Sequence, residues 1–196
     1  SVDFAGGVNA DSIRAALLQE VEGIMEAKVF ENDTDDTDEH GLPPHSIEAV
    51  VYGGLDEDIS RVIYRRLGAG IQTFGQKVVQ VITASGNTKD IHFNRPTPVK
   101  VYVKITNLVT NANFPRDGAD RLKAAITDYI GDDESGGVSI GETLYHQQLP
   151  ARLYTVPGVL DFDIYIGTSP DDLQQENIKV DSRSKVVTEE GAVSIE

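Results

Sequence analysis

The stretch that decides the fold is SIEAVVYGGLDEDISRVIYRRLG, residues 46–68. It opens with a run rich in β-branched residues that ends at two glycines, a pattern typical of a largely buried strand. The strand residues expected inside are Ile47, Val50, Val51 and Tyr52. Asp56 then stands where it can cap a helix. In that helix the apolar residues recur at helical spacing, at Ile59, Val62, Ile63 and Leu67. The remaining surface carries Arg61, Arg65 and Arg66.

Outward from this stretch, the first half of the chain adds one more helix and three more strands. DSIRAALLQEV (residues 11–21) predicts a helix with Asp11 or Ser12 as its N-cap, and IMEAKVFEN (24–32) predicts a strand. QKVVQVITASGNTKDIHFNRP (76–96) reads as two strands joined at Ser85-Gly86-Asn87. The resulting order is α-β-β-α-β-β.

The second half predicts a separate domain. The prolines of RPTP (95–98) are unsuited to a sheet interior and suggest a boundary. VKVYVKITNLV (99–109) alternates as one strand, with Val99, Val101, Val103 and Ile105 on one face. A helix opening at Asp117, a shorter helix, the strand GVLDFDIYIGT (158–168) and short strand-like pieces follow. We therefore predict an α+β protein of two domains, residues 1–97 and 98–196, each a mostly antiparallel sheet packed with helices.

Composition narrows the classes of partner. The 196 residues carry 17 Lys and Arg against 32 Asp and Glu, a formal charge of −15. Such a chain is poorly suited to nucleic acid and to anionic membrane surfaces, and is suited to a basic protein partner. The absence of cysteine excludes disulfides, thiolate metal sites and cysteine nucleophiles. Because Ser1 stands where an initiator methionine would, we expect a processed chain or a fragment.

The most charged segment is ENDTDDTDEHGLPPHS, residues 31–46, with six carboxylates in nine residues. Asp33, Asp35 and Asp38 are oxygen ligands of the kind that calcium prefers. An EF-hand loop counted from Asp33 fails, because its sixth position is Asp38 and its twelfth is Pro44. A looser calcium site within Asp33–Glu39, in a calcium-responsive binding module, remains as an alternative. The other interpretation is a solvated connection, closed by a turn at Asn32 and Thr34 and stiffened at Pro43-Pro44.

Three further patterns invite a chemical interpretation, and none fits its motif. His40 and His45 lie five apart around two prolines, which excludes the helical spacing of a zinc pair. Gly137–Gly141 matches G-x-S-x-G but follows a polar loop instead of a strand, with only His146 downstream. GAGIQTFG (68–75) lacks both phosphate-binding glycine patterns. We expect His92 and His146 to be structural, no cofactor, and no enzyme.

One family resemblance covers much of the chain. Residues 31–75 and 91–105 resemble the baseplate J-like family of phage tail proteins, and the resemblance extends over most of residues 20–170. The family pattern is an Asn-x-Thr-Asp turn, a Gly-(Ile/Leu)-Pro-Pro-His-Ser turn, a strand ending in Gly-Gly, a Gly-Ile-x-Thr-x-Gly segment and a Phe-x-Arg-Pro. The matching residues here are Asn32–Asp35, Gly41–Ser46, Gly53-Gly54, Gly70–Gly75 and Phe93–Pro96.

The resemblance implies a structural role. Such proteins belong to the wedge or inner ring of contractile baseplates in P2-like and Mu-like phages and related injection machines, and they are not enzymes. It implies baseplate and tail-hub proteins as partners, oligomers in the assembled particle, and assembly in the host cytoplasm. Family members carry further sequence before the part that matches residue 11, so this chain would be the C-terminal portion. We predict that residues 31–46, the acidic loop, form a contact surface. The residues expected to make the contacts are Asp35, Asp36, Asp38, Pro43 and Pro44.

Overall fold

The computed structural model describes residues 10–132 and 136–196. They form four α-helices and eleven strands in several small, mostly antiparallel sheets, so the α+β prediction is confirmed. The chain divides into two compact units between Pro96 and Thr97, and the sequence had suggested a boundary after residue 97. The opening residues on which we based the expectation of a fragment lie outside the described residues. So does part of the polar segment 131–137 that follows a predicted helix.

The first unit is built around one central strand, β2. Its elements are α1 (Ala10–Glu20), β1 (Ile24–Asn32), β2 (Ser46–Gly53), α2 (Asp56–Arg66), β3 (Gln72–Thr73), β4 (Lys77–Ile82) and β5 (Thr88–Phe93). β2 pairs antiparallel with β1 and parallel with β3, while β4 and β5 form the predicted hairpin. Beside β2, the backbone amide of Asn94 donates to the Ala49 carbonyl at 2.8 Å, and its carbonyl accepts from the Val51 amide at 2.9 Å.

The core of the first unit follows the predicted pattern. In α2 the predicted apolar stripe faces inward, with Ile59, Val62 and Ile63 buried and Leu67 packed against the core. Of the residues predicted to be buried in β2, only Tyr52 is half-exposed to solvent. Core residues from five elements include Ile13, Leu17, Ala27, Ile47, Val51, Ile59, Ile63, Ile91 and Phe93.

Both predicted helix caps are wrong. Leu55 is the N-cap of α2, and Asp56 is already its first residue, with no side-chain cap bond. Asp56 instead pairs with Arg95 at 2.6 Å, a tertiary ion pair that takes the carboxylate away from the helix amides. Ala10 is already helical, so Asp11 and Ser12 lie inside α1 and do not cap it. β3 was not predicted, since two residues carry no periodicity.

The described residues of the second unit form two sheets and two α-helices. The named elements are β6 (Thr97–Lys100), β7 (Tyr102–Thr110), α3 (Gly118–Ile130), α4 (Leu149–Leu153), β8 (Val159–Ser169), β9 (Asp172–Gln174), β10 (Ser184–Val187) and β11 (Val193–Ile195). One sheet has the strand order β11-β7-β8-β9, and β6 pairs parallel with β10 in the other. Residues 146–148 and 190–192 form short 3₁₀ turns.

The single strand predicted at residues 99–109 is broken into β6 and β7 at Val101. The Val101 amide donates to the Val187 carbonyl at 2.8 Å, and Thr188 Oγ1 donates to the Val101 carbonyl at 2.7 Å. The C-terminal segment thus lies beside both pieces, so β6 pairs with β10 and β7 with β11. The prediction that Val101, Val103 and Ile105 lie on one face is confirmed, because all three are buried.

The predicted helix at Asp117 and the predicted strand at residues 158–168 both form, and each has a buried apolar face. Asp117 is the N-cap of α3, whose buried stripe includes Leu122, Ile126 and Ile130. In β8, Ile164 and Ile166 are buried but Leu160, near the strand's beginning, is 53% exposed. No described helix is both long enough and apolar enough to span a membrane.

Candidate functional site

A single buried side chain holds the first turn of the acidic loop. Asn32, 5% exposed at the end of β1, donates from Nδ2 to the carbonyls of Asp36 at 2.7 Å and Leu42 at 2.9 Å. Its Oδ1 accepts from the backbone amide of Thr34 at 3.0 Å and from Thr34 Oγ1 at 2.6 Å. The turn predicted at Asn32 and Thr34 is confirmed. Leu42 lies in the part of the loop that returns to β2, so the Asn32 side chain links the outgoing part of the loop to the returning part.

Asp38 holds the second turn of the loop. Its Oδ1 accepts from the amides of His40 at 2.8 Å and Leu42 at 2.9 Å, and its own amide donates to the Leu42 carbonyl at 3.1 Å. Leu42 is fully buried and anchors this turn to the unit. A carboxylate that accepts two amide protons within its own loop supports the loop's conformation.

The exit of the loop is fixed by local contacts. Ser46 Oγ donates to the Pro43 carbonyl at 2.6 Å, and Pro43 and Pro44 are half-buried. His45 has a φ of 53°, a left-handed conformation that is uncommon for residues other than glycine. Its Nε2 lies 2.8 Å from Asp35 Oδ1, and this contact links the C-terminal end of the loop to its acidic N-terminal half.

The loop presents its charge to solvent. Glu31, Asp33, Asp35, Asp36 and Glu39 are exposed on a backbone that Asn32 and Asp38 hold in place. The three calcium candidates are not brought together: Asp35 faces His45 and Asp38 faces backbone amides. Within residues 10–132 and 136–196, no three His, Cys, Asp or Glu side chains are grouped to hold a metal ion.

Arg95 ties the end of β5 to the end of β2. Its Nη1 donates to the carbonyls of Val51 at 3.1 Å and Gly53 at 2.8 Å. Its Nη2 donates to the Gly54 carbonyl at 2.7 Å and to Asp56 Oδ1 at 2.6 Å. The sequence suggested only a domain boundary here. The Phe-x-Arg-Pro element of the family pattern was the one signal that marked this residue.

Other family-pattern residues contact β2 and β5. The Phe74 amide donates to the Ile47 carbonyl at 2.8 Å, and Thr73 Oγ1 accepts from the His92 amide at 2.9 Å. Asn94 Nδ2 donates to Glu48 Oε2 at 2.9 Å, and that carboxylate belongs to a residue only 4% exposed. Sequence analysis missed Glu48, because a charged residue in an apolar strand gives no sign of its partner.

The structure does not assemble a serine–histidine pair. Ser139 lines an open pocket of about 600 Å³ between α3 and α4, together with Asp128 and Arg152. His146 Nε2 donates to the Ile164 carbonyl at 2.7 Å, and its buried Nδ1 has no hydrogen-bond partner among the described residues. His92 Nδ1 lies 3.2 Å from the Gly75 carbonyl, so both histidines make the structural contacts expected of them.

Comparison with known proteins does not place the chain in a family. No protein-family model matches it, and no curated protein matches it. The resemblance to baseplate J-like proteins therefore rests on the motif residues quoted above.

Asn32→Ala should destabilise the protein by about 2 kcal/mol, because it removes the bonds that Nδ2 donates to the carbonyls of Asp36 and Leu42 and leaves the Thr34 backbone amide without its acceptor. The measurement is the midpoint of urea unfolding followed by circular dichroism. Asn87→Ala is the matched control, since Asn87 is exposed in the β4–β5 turn and makes one 3.3 Å bond to Ser85. Equal midpoints for the two variants would contradict the role given to Asn32.

Proposed function

We propose that this chain is a structural component of the tail baseplate of a phage or a phage-like contractile injection machine. Its role is to make protein–protein contacts in the wedge or inner ring, without an enzymatic activity. The observation that carries the proposal is the use of the family-pattern residues. Polar groups of Asn32, Ser46, Asn94 and Arg95 are engaged in contacts within the first unit.

These contacts within the unit favour a structural component over an enzyme. A catalytic motif directs a nucleophile, an acid or a base toward a substrate space. Here the motif side chains bind groups of their own unit, as Arg95 does at the carbonyls of Val51, Gly53 and Gly54. Residues used in this way give a fixed shape to a surface, which is what a component of an assembly needs.

The surface proposed to meet a neighbour is the acidic loop, residues 31–46. Asn32 and Asp38 hold its backbone in one conformation before binding, so little conformational entropy would be lost on binding. The exposed carboxylates suit a partner with a basic surface, for which they would raise the association rate and select the binding orientation. The partners proposed are other wedge proteins and tail-hub proteins, met during assembly in the host cytoplasm.

The proposal is tested in particles made by the genome that encodes the chain. Tails are purified by sedimentation, and the chain is quantified by mass spectrometry against the other tail proteins. A fixed ratio to those proteins in the tail fraction is expected. The absence of the chain from intact tails would contradict the proposal.

Asp35→Asn/Asp36→Asn should weaken assembly with a basic partner by about tenfold at low salt, because it removes two exposed charges from the contact surface. Asp38 is left intact, since its Oδ1 accepts two backbone amides and its loss would confuse charge with conformation. Among the described residues the Asp35 side chain bonds only to His45, and Asp35→Asn keeps the Oδ1 that makes this contact. Asp171→Asn/Asp172→Asn removes two exposed charges from the β8–β9 turn and serves as the control. The measurement is the dissociation constant of the copurified complex. Equal weakening by both double variants would contradict a contact role for the loop.

A further inference from the structure

A groove in the first unit lies between helix α2 and strand β4, and the acidic loop takes no part in it. Its volume is about 430 Å³. The helix wall is formed by Glu57, Arg61, Tyr64 and Arg65, and the strand wall by Val79, Gln80, Val81 and Ile82.

The strand wall carries unpaired backbone groups. The His92 amide donates to Thr73 Oγ1, so it points away from β4. His92 is opposite Val78, and in antiparallel pairs the two residues of such a position both turn their backbone groups outward. The register of β4 and β5 has no shift, so Gln80 and Ile82 also turn their backbone groups outward. β4 pairs only with β5 among the described strands.

The same edge exposes apolar side chains. Val78 is 52% exposed and Ile82 is 75% exposed, on the face of the hairpin opposite to the core. Val79 and Val81 point the other way and pack against the core of the unit. Natural sheet edges are commonly protected by charge, proline or a covering element, and an open apolar edge is a template for a further strand.

The helix wall carries two guanidinium groups against the single carboxylate of Glu57. The side chains of Arg61 and Arg65 are 58% and 54% exposed. Their present partners are weak ones: Arg61 lies 3.3 Å from Asp58, and Arg65 lies 4.0 Å from Glu20. Exposed pairs of this kind contribute little to stability, so each guanidinium can turn to a new carboxylate at small cost.

We propose that this groove binds an extended segment of a partner protein, which adds as a strand to the free edge of β4. The segment alternates apolar residues with glutamates. Its apolar side chains lie beside Val78 and Ile82, and its carboxylates reach Arg61 and Arg65 on the helix side. Main-chain bonds supply affinity in this mode, and the alternate side chains supply specificity. The inference stands on the groove alone and does not depend on the baseplate role.

The test uses the full chain and a labelled, end-capped peptide, Val-Glu-Val-Thr-Val-Glu-Val, followed by fluorescence anisotropy. Arg61→Glu/Arg65→Glu should weaken binding by at least about tenfold. Arg66→Glu should leave it unchanged, because Arg66 is on the same helix but does not line the groove. Bound peptide should slow hydrogen exchange at the amides of Val78, Gln80 and Ile82. Methylating the peptide amides that face β4 should abolish binding, a result that requires no change in the protein.

Four outcomes of the peptide experiments would overturn the proposal. They are no binding up to millimolar peptide, equal binding when the glutamates are replaced by lysines, undiminished binding to Arg61→Glu/Arg65→Glu, and undiminished binding of the methylated peptide. Protection of the Val78 amide without peptide, rising with protein concentration, would identify a second copy of the chain as the occupant and would also overturn it.

Discussion

Arg95→Ala should destabilise the first unit by about 3–4 kcal/mol, the largest effect of any single substitution considered. The guanidinium is 27% exposed and donates to three carbonyls and one carboxylate, and it lies 5.4 Å from the ring centre of Phe93. Its removal leaves the carbonyls of Val51, Gly53 and Gly54 without that donor. Asp56 also loses its closest cation. The measurement is the free energy of unfolding in urea.

Two controls separate the geometry of Arg95 from its charge. Arg95→Lys keeps the charge, but its single ammonium group cannot span acceptors arranged around a planar fork, so roughly half of the loss should remain. Arg121→Ala breaks an exposed pair with Asp117 at 3.0 Å and should change stability by less than about 0.5 kcal/mol. Full recovery in Arg95→Lys would show that charge alone matters at this position.

Gly75→Ala should cost about 3 kcal/mol, because a Cβ at this position would overlap the backbone carbon and oxygen of Phe93. Neither side can easily yield: Phe93 is fully buried, and the neighbouring Phe74 amide is bonded to Ile47 in β2. The substitution should therefore separate the segment after β3 from β5. The loss is measured by the same urea titration, with hydrogen exchange at the Phe74 amide as a local reading.

Gly191→Ala is the matched control for this glycine. A Cβ at Gly191 meets no atom within 4 Å, so the substitution should be close to neutral. If Gly75→Ala were equally neutral, the close approach to Phe93 would have no energetic consequence. The family-pattern glycine would then need another explanation.

Periodicity predicted the elements whose burial is decided locally. The stripe of α2 with Ile59 and Ile63 was predicted correctly, as was the hairpin around Ser85-Gly86-Asn87. In both cases one face contacts the core, so the pattern of the sequence and the pattern of burial coincide. The α+β class followed from these elements alone.

Long-range pairing decided the features that periodicity could not reach. The strand expected at residues 99–109 breaks at Val101 because Thr188, 87 residues later, takes its carbonyl. Asp56 does not cap α2: Leu55 occupies the N-cap position, and the Asp56 carboxylate pairs with Arg95, 39 residues away. The same distinction between local and long-range contacts applies to the candidate site. The Asn32–Thr34 turn is local and was predicted, whereas the bond of Asn32 to Leu42 and the role of Arg95 depend on how the chain folds back.

The most direct test of the baseplate proposal is to purify the full-length protein together with the products of its neighbouring genes and to weigh the intact complex by native mass spectrometry. The proposal predicts a heteromeric complex of defined stoichiometry, which Asp35→Asn/Asp36→Asn weakens. A lone monomer under all conditions would contradict it, and the resemblance would then describe the fold alone.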